Sequence, residues 1–152
     1  MFRRLLRILR RRAKRSWSAH AAMPPSAWEP LPMDSLESIA EAYPRLFTER
    51  RFHEWARLFD PNGVVARGGA HGTSWVKPIA GSLQDQKRFA QGRSTLSETW
   101  DDIETFQWGS VGLISAAYEL TADDDRRRGR DIALAIKCEA GWRIVALAYE
   151  EY

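Results

Sequence analysis

The chain predicts an α+β fold in which helices come first and an antiparallel sheet comes last. Three observations carry that expectation. Between Leu36 and Ala90, apolar residues recur every three or four positions in three separate segments. From Ser97 onward, four long segments rich in aromatic and β-branched residues follow one another. The connections between those segments are short, which favours neighbouring antiparallel strands in a meander. A length of 152 residues, 44% hydrophobic and with seven Trp, suits one domain with one substantial core.

The first helix is expected just after Met33. Asp34 and Glu37 stand at capping-box spacing, and Leu36, Ile39, Ala40, Tyr43, Leu46 and Phe47 form one stripe. Pro44 interrupts the pattern, since a proline inside a helix removes one backbone hydrogen bond, and it predicts a kink or break around Tyr43. Phe52, Trp55, Ala56 and Phe59 continue the stripe in a shorter second helix. "DPNG", residues 60–63, has the composition of a tight turn, and "VVAR" behind it is the first expected strand. "SLQDQKRFAQG" predicts a third helix, with Ser82 as cap and Gly92 as stop. Strands then follow in "SETWDDIETFQW", "SVGLISAAYELTA", "RDIALAIKCEA" and "WRIVALAYE".

Charge is distributed unevenly. Eight of the first fifteen residues are basic, whereas the chain from Met33 onward has a net charge of −4. In "MFRRLLRILRRRAKR", Phe2, Leu5, Leu6 and Leu9 share one helical face and arginines cover the other. That pattern suits a solvated tail, contact with an anionic membrane surface through residues 1–15, or, less favourably, nucleic acid. Its apolar runs are too short for a secretory signal or a membrane span. "MPPSAWEPLP", residues 23–32, has four prolines and is expected to be extended. Residues 1–32 are therefore assigned to an extension and linker, and 33–152 to the domain. The absence of an export signal makes a cytoplasmic location the default expectation, with a membrane-peripheral one as the alternative.

Cys138 alternates with Ile132, Leu134 and Ile136 and is expected to act as a small apolar residue. His20, His53 and His71 are not at metal-ligand spacing, so neither a metal nor another cofactor is expected. "DDDRRRGR", residues 123–130, lacks the ligand spacing of a calcium loop and reads as a charged hairpin.

Two stretches, "AYPRLFTERRFHEWARLFDPNGVVARG" and "GWRIVALAYEEY", resemble the nuclear transport factor 2-like superfamily, which includes SnoaL-like cyclases and steroid delta-isomerases. The resemblance spans roughly residues 34–152. It implies a cone-shaped fold, with helices packed in the concave face of a strongly curved sheet, a pocket at the open end, and pairing into homodimers through the outer sheet face. In the isomerases it further implies a first-helix Tyr that donates to an oxyanion and a first-strand Asp that moves the proton. An ungapped match puts these positions on Tyr43 and Arg67. A guanidinium stays protonated and cannot act as that base. The segment from Ile132 to Cys138 also offers no carboxyl to join Tyr43.

Arg67 is instead expected either to hold an acidic ligand or to pair internally with Asp131 or Glu119. Tyr43, Trp75 and Trp100 complete the expected ligand-binding set. In "TWDDIETFQW", strict alternation puts Trp100, Asp102, Glu104, Phe106 and Trp108 on one face. That face either lines the pocket or forms a dimer seam, unless a bulge changes the register midway.

Two functional classes follow. The favoured one is a binding or dimerising module, without catalysis, for an apolar or acidic small molecule. The other is a cyclase-, dehydratase-, isomerase- or hydrolase-type enzyme using Asp102, Glu104 or Glu119 as acid or base. A carboxyl inside the pocket with raised proton affinity is the observation that separates them.

Overall fold

The structure is a computed structural model that describes residues 28–70 and 72–152. Residues 1–15, His20, much of the proline-rich stretch and His71 lie outside the described residues. Helix α1 (Leu36–Thr48) and the short α2 (Phe52–Ala56) lead into β1 (Phe59–Arg67) and β2 (Trp75–Pro78). Helix α3 (Ile79–Ala90) follows, then β3 (Ser97–Trp108), β4 (Val111–Ala122), β5 (Asp125–Cys138) and β6 (Gly141–Glu151). The six strands form one sheet in the order β2-β1-β6-β5-β4-β3. Neighbours are antiparallel except β1 and β6, which run parallel. The class is thus α+β, with the predicted meander from β3 to β6.

Several local expectations are refined. Ser35, rather than Asp34, caps α1, and a reciprocal capping box joins it to Ser38. Helix α1 runs unbroken through Pro44. The lost hydrogen bond is outweighed because Ile39, Ala40, Tyr43, Leu46 and Phe47 are all buried along one face. Beyond the helix, Arg50 takes a left-handed φ of 59° and donates to the carbonyls of Ala90 and Arg93, tying α1 to the end of α3. Helix α3 begins at Ile79, so Ser82 sits inside it, buried, rather than at its cap. "DPNG" forms an irregularity within β1, where the pairing with β6 shifts between Phe59 and Val64. Packing also reaches back beyond Met33, because Trp28 is buried and its indole donates to the Phe59 carbonyl.

Three register shifts bend the sheet: the one in β1, one between Asp101 and Glu104 in β3, and one between Leu134 and Ala135 in the β5–β6 pair. An extra residue on one strand turns that strand and increases its twist. The concave side is lined by small residues, including Ala116, Ala133 and Ala135, and receives α1. A methyl group at Gly112 would stand 2.7 Å from the Leu36 methyls, so the helix lies directly on the sheet there. Tyr43, Phe47, Trp55 and Phe59 form an aromatic cluster between helices and sheet.

The opposite face of the sheet carries Phe106, Trp108, Val111, Ile132 and Leu134, each more than a third exposed. Phe106 and Trp108 stack with ring centres 6.2 Å apart. Among the described residues no helix is long and apolar enough to cross a membrane.

Glycines provide the sharpest test of this packing. A Cβ at Gly129 would lie 2.0 Å from the Glu150 carbonyl oxygen and 2.7 Å from the Tyr118 ring, whereas one at Gly81 in α3 meets nothing within 4 Å. Gly129→Ala should therefore lower unfolding free energy by about 1–3 kcal/mol or more in denaturant titrations. Gly81→Ala should raise it by about 0.5–1 kcal/mol.

Candidate active site

A cavity of about 190 Å³ opens between α1, α3 and the concave face of the sheet. Its apolar wall consists of Phe47, Phe89, Leu120 and the rings of Tyr43, Trp75, Tyr118 and Tyr149. Its charged lining comprises Asp85, Glu98, Asp131, Glu151 and Arg127. Strand pairing explains how these residues meet. Asp131 on β5 lies opposite Tyr149 on β6 and Ala116 on β4, while Glu98 on β3 pairs with Leu120, itself opposite Arg127. Alternation then points Asp131, Tyr149 and Glu98 into the concave side.

The four carboxyl groups divide into two kinds. At the mouth, Asp85 is paired with Lys77, and Glu151 accepts from Arg67 at 2.9 Å with Arg127 a further 3.9 Å contact. Deeper in, Glu98 and Asp131 form no ion pair with any described residue. The indole N–H of Trp100 donates to Glu98 Oε1 at 3.2 Å. Trp100 in turn is held by Tyr43, which stacks on it with ring centres 4.3 Å apart.

Burial sets the protonation of this deep pair. Asp131 is only 5% exposed, and desolvation pushes its carboxyl up to about 7, with Trp100 drawing it partly back down. Glu98 is raised well above the usual carboxylate range, first by desolvation and then by the negative charge of Asp131. Two like charges in one dry site resist simultaneous ionisation, so near neutral pH the pair retains at least one proton. Desolvation also raises Tyr43 well above the usual phenol range and lifts Tyr149 to about 12, so both rings stay protonated donors. Chemically, the site offers a proton donor and a proton acceptor side by side against an aromatic wall.

Of the residues singled out from the sequence, Tyr43 and Trp75 line this cavity. Trp100 stands behind it, oriented towards the carboxyls. Arg67 lies on the concave side in the same cross-strand row as Tyr149 and Asp131, but its guanidinium is taken up by Glu151 and does not line the cavity. Asp102, Glu104 and Glu119 lie outside it. Asp102 occupies the bulge with a φ of 48° and pairs with Arg130, Glu104 is exposed, and Glu119 pairs with Arg128. The bulge separates the row expected from strict alternation: Trp100 is buried, whereas Phe106 and Trp108 emerge on the outer face.

Glu98 and Asp131 were missed as site residues. Glu98 lies two positions before Trp100, on its face of β3, and a row extended backwards from the buried tryptophan would have found it. Asp131 lies one residue before the segment in which a carboxyl was sought. Among the described residues, no three His, Cys, Asp or Glu side chains converge to hold a metal ion.

No protein-family model matches the chain, and no curated protein matches it. Solved structures do. A protein of unknown function from Mycobacterium tuberculosis is 16% identical with a TM-score of 0.65, over 77% of this chain and 69% of the other. A candidate dehydratase of the nuclear transport factor 2-like family from Streptomyces avermitilis is 10% identical with a TM-score of 0.64, over 77% and 93%. A candidate scytalone dehydratase from Novosphingobium aromaticivorans is 11% identical with a TM-score of 0.62, over 77% and 81%. At these identities the likeness concerns the fold, and the chain has the cone-shaped fold of the nuclear transport factor 2-like superfamily.

Proposed function

We propose that the protein is an acid–base enzyme acting on a compact ring compound, with Asp131 and Glu98 as its proton-transfer pair. The observation that carries this reading is the pair itself: two carboxyls in one cavity, without a cationic partner among the described residues, with Asp131 raised to about 7 and Glu98 raised well above the ordinary carboxylate range. A module that only holds an apolar molecule gains nothing from burying them, since each costs free energy unless its charge is used. Asp131 is the acceptor, because it is the member that ionises near pH 7. Glu98 is the acid that returns the proton. Tyr43 and Tyr149 are the donors available to a developing oxyanion. The volume exceeds the roughly 150 Å³ that admits benzene, which suits one ring with a substituent. The candidate dehydratases among the structural neighbours fit this class of chemistry, although the fold alone does not decide it.

Compact cyclic ketones in deuterated water provide the test. Proton NMR should show exchange of their α-hydrogens accelerated by the protein, and Asp131→Asn or Glu98→Gln should lower that acceleration by about a hundredfold or more. Equal exchange with and without the carboxyls would refute the assignment.

Stability should report the same pair. Each carboxyl is raised in the folded state, so its contribution is fully present below the unfolded value near 4 and is lost as pH rises through the folded value, near 7 for Asp131. Wild-type stability should consequently fall between about pH 4 and 7 through Asp131, by up to roughly 1.4 kcal/mol per pH unit. Asp131→Asn should flatten that slope in denaturant titrations, gaining on the wild type as pH rises.

A homodimer through the outer sheet face completes the proposal. Phe106, Trp108, Val111, Ile132 and Leu134 supply a contiguous apolar centre, and the Arg130–Asp102 and Arg128–Glu119 pairs supply a polar rim. In sedimentation equilibrium, the wild type should be a dimer at micromolar concentration. Trp108→Glu with Phe106→Lys should be a folded monomer.

A further inference from the structure

We infer that the cavity selects a ligand bearing a basic nitrogen, whose ammonium group docks at Asp131. This rests on the reading of Asp131 and Glu98 as the functional pair and deepens it by naming the charge class of the substrate. Among the described residues, the cavity's acids outside this pair each have a cation: Lys77 for Asp85, and Arg67 with Arg127 for Glu151. Asp131 has none. It is 5% exposed and faces the cavity, and the one N–H turned towards it, the indole of Trp100, is neutral and donates to Glu98 at 3.2 Å.

The groups packed around Asp131 reinforce this. Tyr43 on α1, Trp100 and Glu98 on β3, Tyr118 on β4, and Tyr149 on β6 supply π faces, neutral donors and a second carboxyl, but no positive charge. The nearest guanidinium groups, Arg67 and Arg127, are engaged at the mouth by Glu151 and Asp125. A buried carboxylate framed by aromatic rings is complementary to an organic cation, through both the ion pair and the ring quadrupoles. An anionic ligand would meet the same pair at a cost.

Binding of an ammonium compound from solution requires the pair to release a proton. The nitrogen keeps its own proton, the Asp131 carboxyl gives its proton to solvent, and an N–H···O ion pair forms. One Asp131 oxygen then holds the ammonium while the other stays free to accept a proton, and Glu98 remains the acid. Affinity for amines should therefore rise with pH until Asp131 has ionised, then level off.

Benzylamine, benzyl alcohol and benzoate test this, because they share a ring and differ in charge. Titration calorimetry on the full chain at pH 7.5 should rank benzylamine at least about tenfold tighter than benzyl alcohol, with benzoate weakest. Between pH 5 and 7 the benzylamine affinity should climb by up to about tenfold per unit, and buffers of different protonation enthalpy should register about one proton released. Asp131→Asn should bring benzylamine within about twofold of benzyl alcohol, whereas Glu98→Gln, which keeps the anchor, should retain the amine preference and start its rise at lower pH. Equal wild-type affinity for amine and alcohol, an amine preference that survives Asp131→Asn or is lost in Glu98→Gln, or binding of none of the three would overturn the inference. Carboxyl-dependent hydrogen exchange in the ketone assay without amine preference removes only the charge class. Loss of both removes the functional pair.

Discussion

Most of what distinguishes this protein follows from one imbalance: two carboxyls are sunk into the concave side of the sheet and no cation among the described residues goes with them. A buried ionised carboxylate without a partner is costly enough that the group usually takes up a proton instead. Glu98 and Asp131 do so, and each makes the other harder to ionise. Their surroundings moderate the cost without removing it. Trp100 supplies one hydrogen bond, and Tyr43 fixes Trp100 by stacking on it. Arg67 and Arg127 do not neutralise the pair, because Glu151 and Asp125 hold them at the mouth.

The sheet makes this placement possible because it is bent where its register shifts. The bulge between Asp101 and Glu104 keeps Glu98 and Trp100 inside while it turns Phe106 and Trp108 outward. One irregularity thus serves both faces: it closes the cavity wall and it builds the apolar outer surface. Gly129 contributes in the same region, since any side chain there would strike the backbone of β6 and the ring of Tyr118. Small residues at Ala116, Ala133 and Ala135 leave the depth that α1 and the cavity share.

Much of the architecture was legible because it is written in periodicity. The apolar stripe of α1 and the alternation of β4, β5 and β6 each reflect burial on one side, and the short connections imply antiparallel neighbours. Pro44 misled because local propensity was outweighed by a buried face. Ser35 rather than Asp34 caps α1 because the helix starts one residue later than the carboxyl spacing suggested. The site was less legible for a different reason. Its carboxyls come from β3 and β5, brought together only through β4, and a bulge inside β3 breaks the parity that would have located them. Arg67 was correctly expected on the concave side, but only the three-dimensional arrangement shows that Glu151 claims it.

The imbalance is directly measurable. Carbon-13 labelling of aspartate and glutamate side chains allows each carboxyl to be titrated by NMR, with Asp131→Asn and Glu98→Gln assigning the two resonances. The account predicts one carboxyl with a midpoint near 7 and another raised well above the ordinary carboxylate range, coupled so that each variant lowers the midpoint of the survivor. Two independent midpoints near 4 would contradict it, because the cavity would then hold ordinary hydrated carboxylates.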